Sequence, residues 1–257
     1  MNHALPNSRS GPSSLMLQVY PEAAFGGFTR CDGTIPFLDR VRALLPERGN
    51  LLDIGCGRGQ QSEDPCRFRR SLFDLREPGR HMIGIDVDPA AEGNPFLDEF
   101  RRIEDVLRWP IDDASIDLAI SVSVLEHVPD PTAFFDEAAR VLKPGGFLCL
   151  RTPNKRSYPS IAARVVPNSH HAKVVGKAQV GRKGEDVFPT VYRCNTAGAL
   201  RRQCRRLGLA HAVYAIEGEP SYLQFSPMLY RLFAALHPLT PPMFRTTLFL
   251  FAQKNAG

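Results

Sequence analysis

The densest chemistry in the chain begins at Asp53, in the run Asp53-Ile54-Gly55-Cys56-Gly57-Arg58-Gly59. There an apolar stretch ends in three alternating glycines. Glycine has no Cβ, so the backbone can turn sharply and bring its N–H groups close to a ligand. A small adenosine-bearing molecule fits such a turn; so does a plain tight turn with no ligand. The dinucleotide fingerprint GxGxxG, counted from Gly55 and Gly57, needs glycine at position 60, but Gln60 stands there and Gly59 comes one residue early. That disfavours a nicotinamide dinucleotide. A second apolar run closes on Gly84-Ile85-Asp86-Val87-Asp88. A carboxylate at a strand tip can accept hydrogen bonds from both hydroxyls of a ribose. Asp86 suits that role, whereas capping the next turn suits Asp88, just before Pro89.

The elements that position these residues follow from hydrophobic periodicity. Residues 34–45 put Phe37, Leu38, Val41, Leu44 and Leu45 on one helical face. Residues 51–55, 81–87 and 118–124 read as buried strands, with further strands at 100–103, 147–151, 209–216 and 246–252. Helices are predicted at 66–77 (Asp64 as N-cap, Pro65 in the first turn), at 132–142 before Pro144-Gly145-Gly146, and at 197–207 before Gly208. This alternation predicts an α/β fold, a doubly wound, mostly parallel seven-stranded sheet of Rossmann type, with ligands at the carboxyl ends of its strands. Residues 1–18 are expected to form a loose tail and 19–257 a single domain. The long interval after the fifth strand, 153–194, and the apolar segment 217–244 are expected to be cap-forming, substrate-binding insertions.

The chain has 257 residues, 43% hydrophobic and 23% charged, proportions that exclude a disordered, collagen-like or membrane-embedded class. Its six cysteines include no CxxC pair, so neither a disulfide framework nor a zinc site is expected, and a reducing cytoplasm fits. The first residues lack the basic-then-apolar pattern of a secretion signal. The most apolar stretch, 223–251, is broken by Arg231, His237, Pro238, Pro241, Pro242 and Arg245, so no transmembrane segment is expected.

In order along the chain stand LLDIGCGRG, GIDVDP, Glu104-Asp105 with WPIDDASIDLAISVSVLEHVPDP, RVLKPGGFL and RTPN. Over roughly residues 51–154 this series resembles the class I S-adenosylmethionine-dependent methyltransferases, in the branch of type 11. The resemblance implies S-adenosyl-L-methionine as cofactor. It implies that Gly55, Gly57 and Gly59 line the methionine moiety, that Asp86 holds the ribose, and that Asp105 with the Val106 backbone reads the adenine edge. It extends the cofactor set to Asp53, Cys56, Val87 and Ser121, and it places Leu125, Glu126 and His127 beside the transferring methyl. One departure is Gln60-Gln61-Ser62-Glu63-Asp64, which intervenes where the family starts its helix at once and implies a longer loop over the methionine end. Trp109 stands where the family often has leucine, and is expected in the core.

For a hydroxyl acceptor a base helps, and a histidine, with an ordinary side-chain pKa of about 6.5, is the natural choice, here His127; a packing role is its alternative. Glu126 is the second catalytic candidate, its alternative being to complement a helix dipole. Residues 151–194 carry nine basic side chains against two acidic ones, a net of +7 where the whole chain has only +5. An anionic acceptor, phosphate, carboxylate or a sugar bearing either, would meet charge-assisted hydrogen bonds there, with Arg182 and Arg193 as candidates; a solvated lid is the other reading. His170-His171 has no cysteine or carboxylate beside it, so no metal site is expected. Tyr192, Asn195 and Thr196 could touch substrate, or Asn195 or Thr196 could cap the following helix. The cluster Arg201, Arg202, Arg205, Arg206 accompanies no nucleic-acid-binding module, which disfavours a nucleic-acid partner. Tyr222, Phe225, Tyr230 and Phe233 form an apolar cover for the acceptor, a peripheral contact with a lipid surface, or core.

The reading is thus a methyltransferase acting on a small anionic or sugar-like acceptor, at oxygen. An NAD(P)-dependent oxidoreductase and a non-catalytic S-adenosylmethionine-binding protein are the alternatives.

Overall fold

The computed structural model describes residues 11–165 and 189–256. Seven strands, β1 (Gly49–Ile54), β2 (Arg80–Asp86), β3 (Glu99–Arg102), β4 (Ile116–Val122), β5 (Leu142–Pro153), β6 (Ala210–Ile216) and β7 (Thr247–Gln253), form one sheet. Their order is β3-β2-β1-β4-β5-β7-β6. All run parallel except β7, which is antiparallel to both its neighbours. The chain winds outward from β1 to β3 and then returns to place β4 on the other side of β1, so the strand order reverses at the β1/β4 junction. At such a switch point the connections leave in opposite directions and open a crevice at the carboxyl ends.

Strand residues alternate between two packed layers. Leu52, Ile54, Ala119, Leu148 and Leu150 face α4 (Pro131–Val141) and α6 (Ala197–Arg206), meeting Phe134, Phe135, Ala138, Leu200 and Cys204. Leu51, Leu118, Ile120, Cys149, Phe249 and Phe251 face α2 (Ile35–Ala43) and α3 (Arg67–Phe73), meeting Phe37, Leu38, Val41 and Leu72. Each such fully buried side chain contributes roughly 1.5–3 kcal/mol. Trp109 is core, edge-on to Phe134 at 5.4 Å between ring centres.

Several boundaries differ from the sequence reading. Within the expected tail, α1 (Ser14–Val19) forms, capped by Ser13 and tied by Gln18 Oε1, which accepts from Arg231. The helix expected from 66 starts at Arg67 because Asp64 is engaged elsewhere: its carboxylate accepts from the Cys66 N–H and the Arg69 guanidinium, leaving Pro65 in the lead-in. That helix ends at Phe73, where the chain turns extended to bury Leu75. Strand β5 begins at Leu142 rather than 147. Ile116 pairs with Leu142 and Leu118 with Phe147, so the Pro144-Gly145-Gly146 stretch is absorbed as an irregularity in the strand. Two further helices, α5 (Tyr158–Val165) and α7 (Pro227–Leu236), meet through Tyr158 and Phe233, whose ring centres lie 4.6 Å apart. His170, His171 and Arg182, with most of the expected basic insertion, fall outside the described residues.

Candidate active site

The glycine turn at the tip of β1 is tied to β2, since Gly55 and Cys56 both donate to the Ile85 carbonyl, at 2.8 and 3.2 Å. Gly55, Gly57 and Gly59 all have left-handed φ values of 71°, 54° and 69°. A side chain at Gly55 would run into the Val124 methyls, and one at Gly59 would come within 2.6 Å of Asn94 Oδ1 and Pro95 Cδ. At Gly57 a Cβ would meet nothing within 4 Å. Gly55 and Gly59 are thus required by packing, while Gly57 leaves bare backbone facing open space, where a ligand can approach the main chain.

Asp86, only 9% exposed at the tip of β2, accepts from Gly57 N–H through Oδ2 and from Asp88 N–H through Oδ1, both at 2.9 Å. The carboxylate is therefore fixed in orientation. It has roughly four lone-pair sites, so capacity remains for two hydroxyl donors. Buried Asn94 supports the turn from beneath, donating to the carbonyls of Cys56 (2.9 Å) and Gly57 (3.1 Å). The sequence reading missed Asn94, whose only signal is an amide followed by Pro95 in a turn. The expected longer loop is present as a 3-10 turn, Gln60–Glu63, and Asp88 pairs with Arg58 at 3.2 Å.

The other predicted cofactor residues occupy distinct places. Asp53 lines a cavity of about 30 Å³ with Gly55, Cys56, Gln61, Asn94 and Val122. Burial, then the charge of Asp86, pushes its carboxyl up to about 7. Cys56 packs its sulfur under β2, close enough to Gly84 that a Cβ there would lie 2.9 Å away, and burial raises its thiol well above the ordinary range. Its backbone, not its thiol, is what the turn presents. Ser121 is buried and donates to the Ile54 carbonyl at 2.9 Å, so its hydroxyl joins β4 to β1. Ile103 N–H donates to the Asp86 carbonyl, which brings the segment after β3 beside the tip of β2. There Asp105 accepts from Leu107 N–H at 2.8 Å, and Val87, Val106 and Leu107 are exposed. Solvent-facing apolar side chains beside an open backbone turn suit the flat face of a base.

At the tip of β4, Ser123 holds a left-handed φ of 59° and donates to the Arg151 carbonyl. A non-glycine residue pays for that conformation, and such strain gathers at functional sites. The turn delivers Leu125 into the core, Glu126 to a buried position and His127 to the surface of the crevice. Glu126 Oε2 accepts from Thr152 Oγ1 (3.1 Å), which accepts from Asn195 Nδ2 (2.6 Å). Asn195 therefore anchors this network, and Thr196 caps α6. His127 Nδ1 lies 3.0 Å from the Pro189 carbonyl, and Nε2 lies 4.0 Å from Glu126 Oε1. A carbonyl can only accept, so Nδ1 carries the proton and the Nε2 lone pair is the basic one. Val191 and Tyr192 N–H groups both donate to the Glu126 carbonyl, strapping 189–195 over the site. Beside that strap, Lys155, Thr190, Val191, Tyr192 and Arg193 line an open basin of about 510 Å³. Farther along the rim, Tyr230 is buried while Tyr222, Phe225, Met228 and Leu232 are exposed. Among the described residues no group of three or more potential metal ligands assembles.

A family model described as a methyltransferase domain matches residues 29–212. A ubiquinone biosynthesis O-methyltransferase of Xanthomonas oryzae pv. oryzae is 34% identical over 149 residues, 54% of this chain and 57% of that protein. A trans-aconitate 2-methyltransferase of Variovorax paradoxus is 28% identical over 54% of this chain and 52% of its own length. The chain spans about half the length of the curated relatives it matches. Among solved structures, a methyltransferase of Methanosarcina mazei superposes with a TM-score of 0.51 at 20% identity, covering 85% of this chain and 98% of that one. A Thermotoga maritima protein described as a possible histamine N-methyltransferase gives 0.50 at 19% identity, covering 93% of each chain. At these identities the solved structures establish the fold.

Proposed function

The chain belongs to the S-adenosylmethionine-dependent methyltransferase family, and from that premise we propose that it transfers a methyl group to an oxygen of a small, anionic or sugar-like acceptor, with His127 as base. The observation that carries this reading is the pairing of two features at one crevice. One is a fixed carboxylate with an open backbone turn, Asp86 and Gly57; the other is an imidazole, His127, whose Nδ1 meets the Pro189 carbonyl and whose Nε2 faces the Glu126 carboxylate.

The residues present fit the cofactor: Asp86 is fixed beside a turn where a Cβ at Gly57 would project into open space, with nothing within 4 Å. S-adenosylmethionine, when bound, supplies a methyl group on a sulfonium, activated for in-line displacement. Asp86 would accept from the ribose hydroxyls, and the backbone at Gly57 would face the methionine end. Val106 and Leu107 would flank the base, beside Asp105. His127 would take the acceptor's hydroxyl proton at Nε2. The Glu126 carboxylate, 4.0 Å away, would then stabilise the imidazolium. Holding the acceptor oxygen near ~3–3.5 Å from the methyl carbon supplies much of the remaining acceleration.

Lys155 and Arg193, lining the basin next to the strap, support an anionic acceptor. All six cysteines are free thiols, which fits a cytoplasmic location. No helix among the described residues is long and apolar enough to cross a membrane. A peripheral lipid contact would use the exposed side chains of 222–244.

Titration calorimetry with S-adenosylhomocysteine and with NAD+ tests the cofactor reading, which requires binding of the first and not the second. A panel of hydroxylated acids, phosphates and sugars, followed by homocysteine release, then tests the acceptor. With any accepted substrate, His127→Ala should lower kcat by roughly 10²–10⁴ and leave S-adenosylhomocysteine affinity unchanged. Arg193→Gln should raise the acceptor's KM alone. Turnover unaffected by His127→Ala would remove the base from the mechanism.

A further inference from the structure

Arg151 has no part in the reading above, yet it is the most conspicuous charge beside the crevice. It sits near the carboxyl end of β5, opposite Val122 of β4 and Phe249 of β7. Its Nε is shielded from solvent without a hydrogen-bond partner, and among the described residues the guanidinium has no ion-pair partner. Arg151 as a whole is half-buried, and a cation shielded in part with no ion-pair partner is costly, since charges taken out of water are ordinarily paired. Burial indeed lowers its pKa, though a guanidinium stays protonated at neutral pH.

The nearby charged groups are Asp32 and Glu126, which attract it, and Arg69, which repels it. Both carboxylates are engaged elsewhere. Asp32 binds Arg69 and the N–H groups of Thr34 and Ile35. Glu126 is held by Thr152 and faces His127. The 32–34 loop lies over the guanidinium, since a Cβ at Gly33 would be 3.9 Å from Arg151 Nη2.

The sheet geometry says what Arg151 can reach. On β4, Ile120 pairs with Asp53 of β1, and Val122, two residues on, pairs with Arg151. Gly55, two residues beyond Asp53, therefore stands at the tip of β1 with Val122 and Arg151 in succession beside it. Adjacent strands are roughly 4.8 Å apart, so Arg151 starts about 10 Å from the glycine turn, with a long side chain on the α2 face. A group lying over the tip of β4 falls between them.

We infer that Arg151 is an anion-binding residue of this site, its guanidinium receiving a carboxylate that lies over the tip of β4. The inference rests on the cofactor reading and deepens it. Two sources offer that chemistry, the methionine carboxylate of the cofactor and an acid group on the acceptor.

The test compares the wild type with Arg151→Gln and Arg151→Lys. Calorimetry uses S-adenosylhomocysteine and 5′-methylthioadenosine, which shares the nucleoside and thioether but lacks the carboxylate. Thermal denaturation with S-adenosylhomocysteine present reads the effect of added malonate. If Arg151 binds the cofactor carboxylate, Arg151→Gln weakens S-adenosylhomocysteine at least tenfold, leaves methylthioadenosine unchanged, and Arg151→Lys falls between. If it binds an acceptor acid, both nucleosides bind as before, but malonate raises the wild-type Tm and not that of Arg151→Gln. The lysine variant carries the comparison by itself should the glutamine variant not fold, because it keeps the charge and loses only the planar fork. Equal affinities within twofold, with no malonate difference, overturn the inference. A wild type that binds neither nucleoside would instead overturn the cofactor reading beneath it.

Discussion

The two halves of the carboxyl rim are built on opposite principles. From β2 to β4 nearly every buried polar group has a partner: Asp86 holds two N–H groups, Asn94 holds two carbonyls, and Ser121 joins two strands. From β5 to β6, shielded atoms of Tyr20, Arg151, Tyr158 and His237 lack hydrogen-bond partners among the described residues, and Glu217 faces the His237 imidazole at 3.8 Å. Burial raises the Tyr20 and Tyr158 hydroxyl pKa values, pushes the Glu217 carboxyl up to about 7 with Thr246 pulling the other way, and lowers the His237 imidazole. The first half is preorganised by its own hydrogen bonds and main-chain geometry. The second keeps polar capacity in reserve and bears the desolvation cost of doing so.

Asp86→Ala strikes the preorganised half hardest, removing both the proposed ribose acceptor and the anchor of Gly57. Calorimetry should show S-adenosylhomocysteine affinity falling about 100-fold or more, as hydrogen bonds to a charged group are worth roughly 1.5–3 kcal/mol each. An unchanged affinity would erase the contrast. Glu217→Gln probes the other half through pH. Below the ordinary carboxyl pKa of about 4.5, both folded and unfolded chains hold the proton and burial carries no ionic penalty. As pH rises from there to about 7, the unfolded chain ionises while the folded one resists, so stability is lost across that window and levels off above it. The glutamine variant should therefore be more stable than wild type by about 2–3 kcal/mol at pH 8 and little different at pH 4, read by urea denaturation at both values.

Gly57→Ala separates binding from folding. Its Cβ would meet no protein atom, so only the left-handed backbone is penalised, by about 1–2 kcal/mol. S-adenosylhomocysteine affinity should drop roughly tenfold, about 1.4 kcal/mol. The smallest effect is expected from Val106→Ser, a loss of two- to threefold in affinity through about 0.5 kcal/mol of apolar contact, with no change in Tm.

How far the chain could be read before it was folded is clear from particular residues. The run 51–59 declares a strand and a turn because apolar periodicity and glycine are local properties, and Asp86 at the end of a second run follows by the same logic. Asn94, Thr152 and Asn195 carry no such signature. Each acts on a partner 26 to 43 positions away: Asn94 on Cys56 and Gly57, Thr152 on Glu126, Asn195 on Thr152.

By itself the sequence determined the alternation of strands and helices, the glycine turn, the carboxylate that follows it and the positive charge of 151–194, because each is a matter of residue type and near-neighbour spacing. Tertiary structure alone decided that Gly57 is the open glycine, that Pro189 directs the His127 proton to Nδ1, and that Arg151 is half-buried, its Nε shielded, beside two carboxylates already engaged elsewhere. Those outcomes depend on which distant segments meet at the rim once the strand order reverses at β1 and β4, and pairings across such distances follow from burying both faces of the sheet at once.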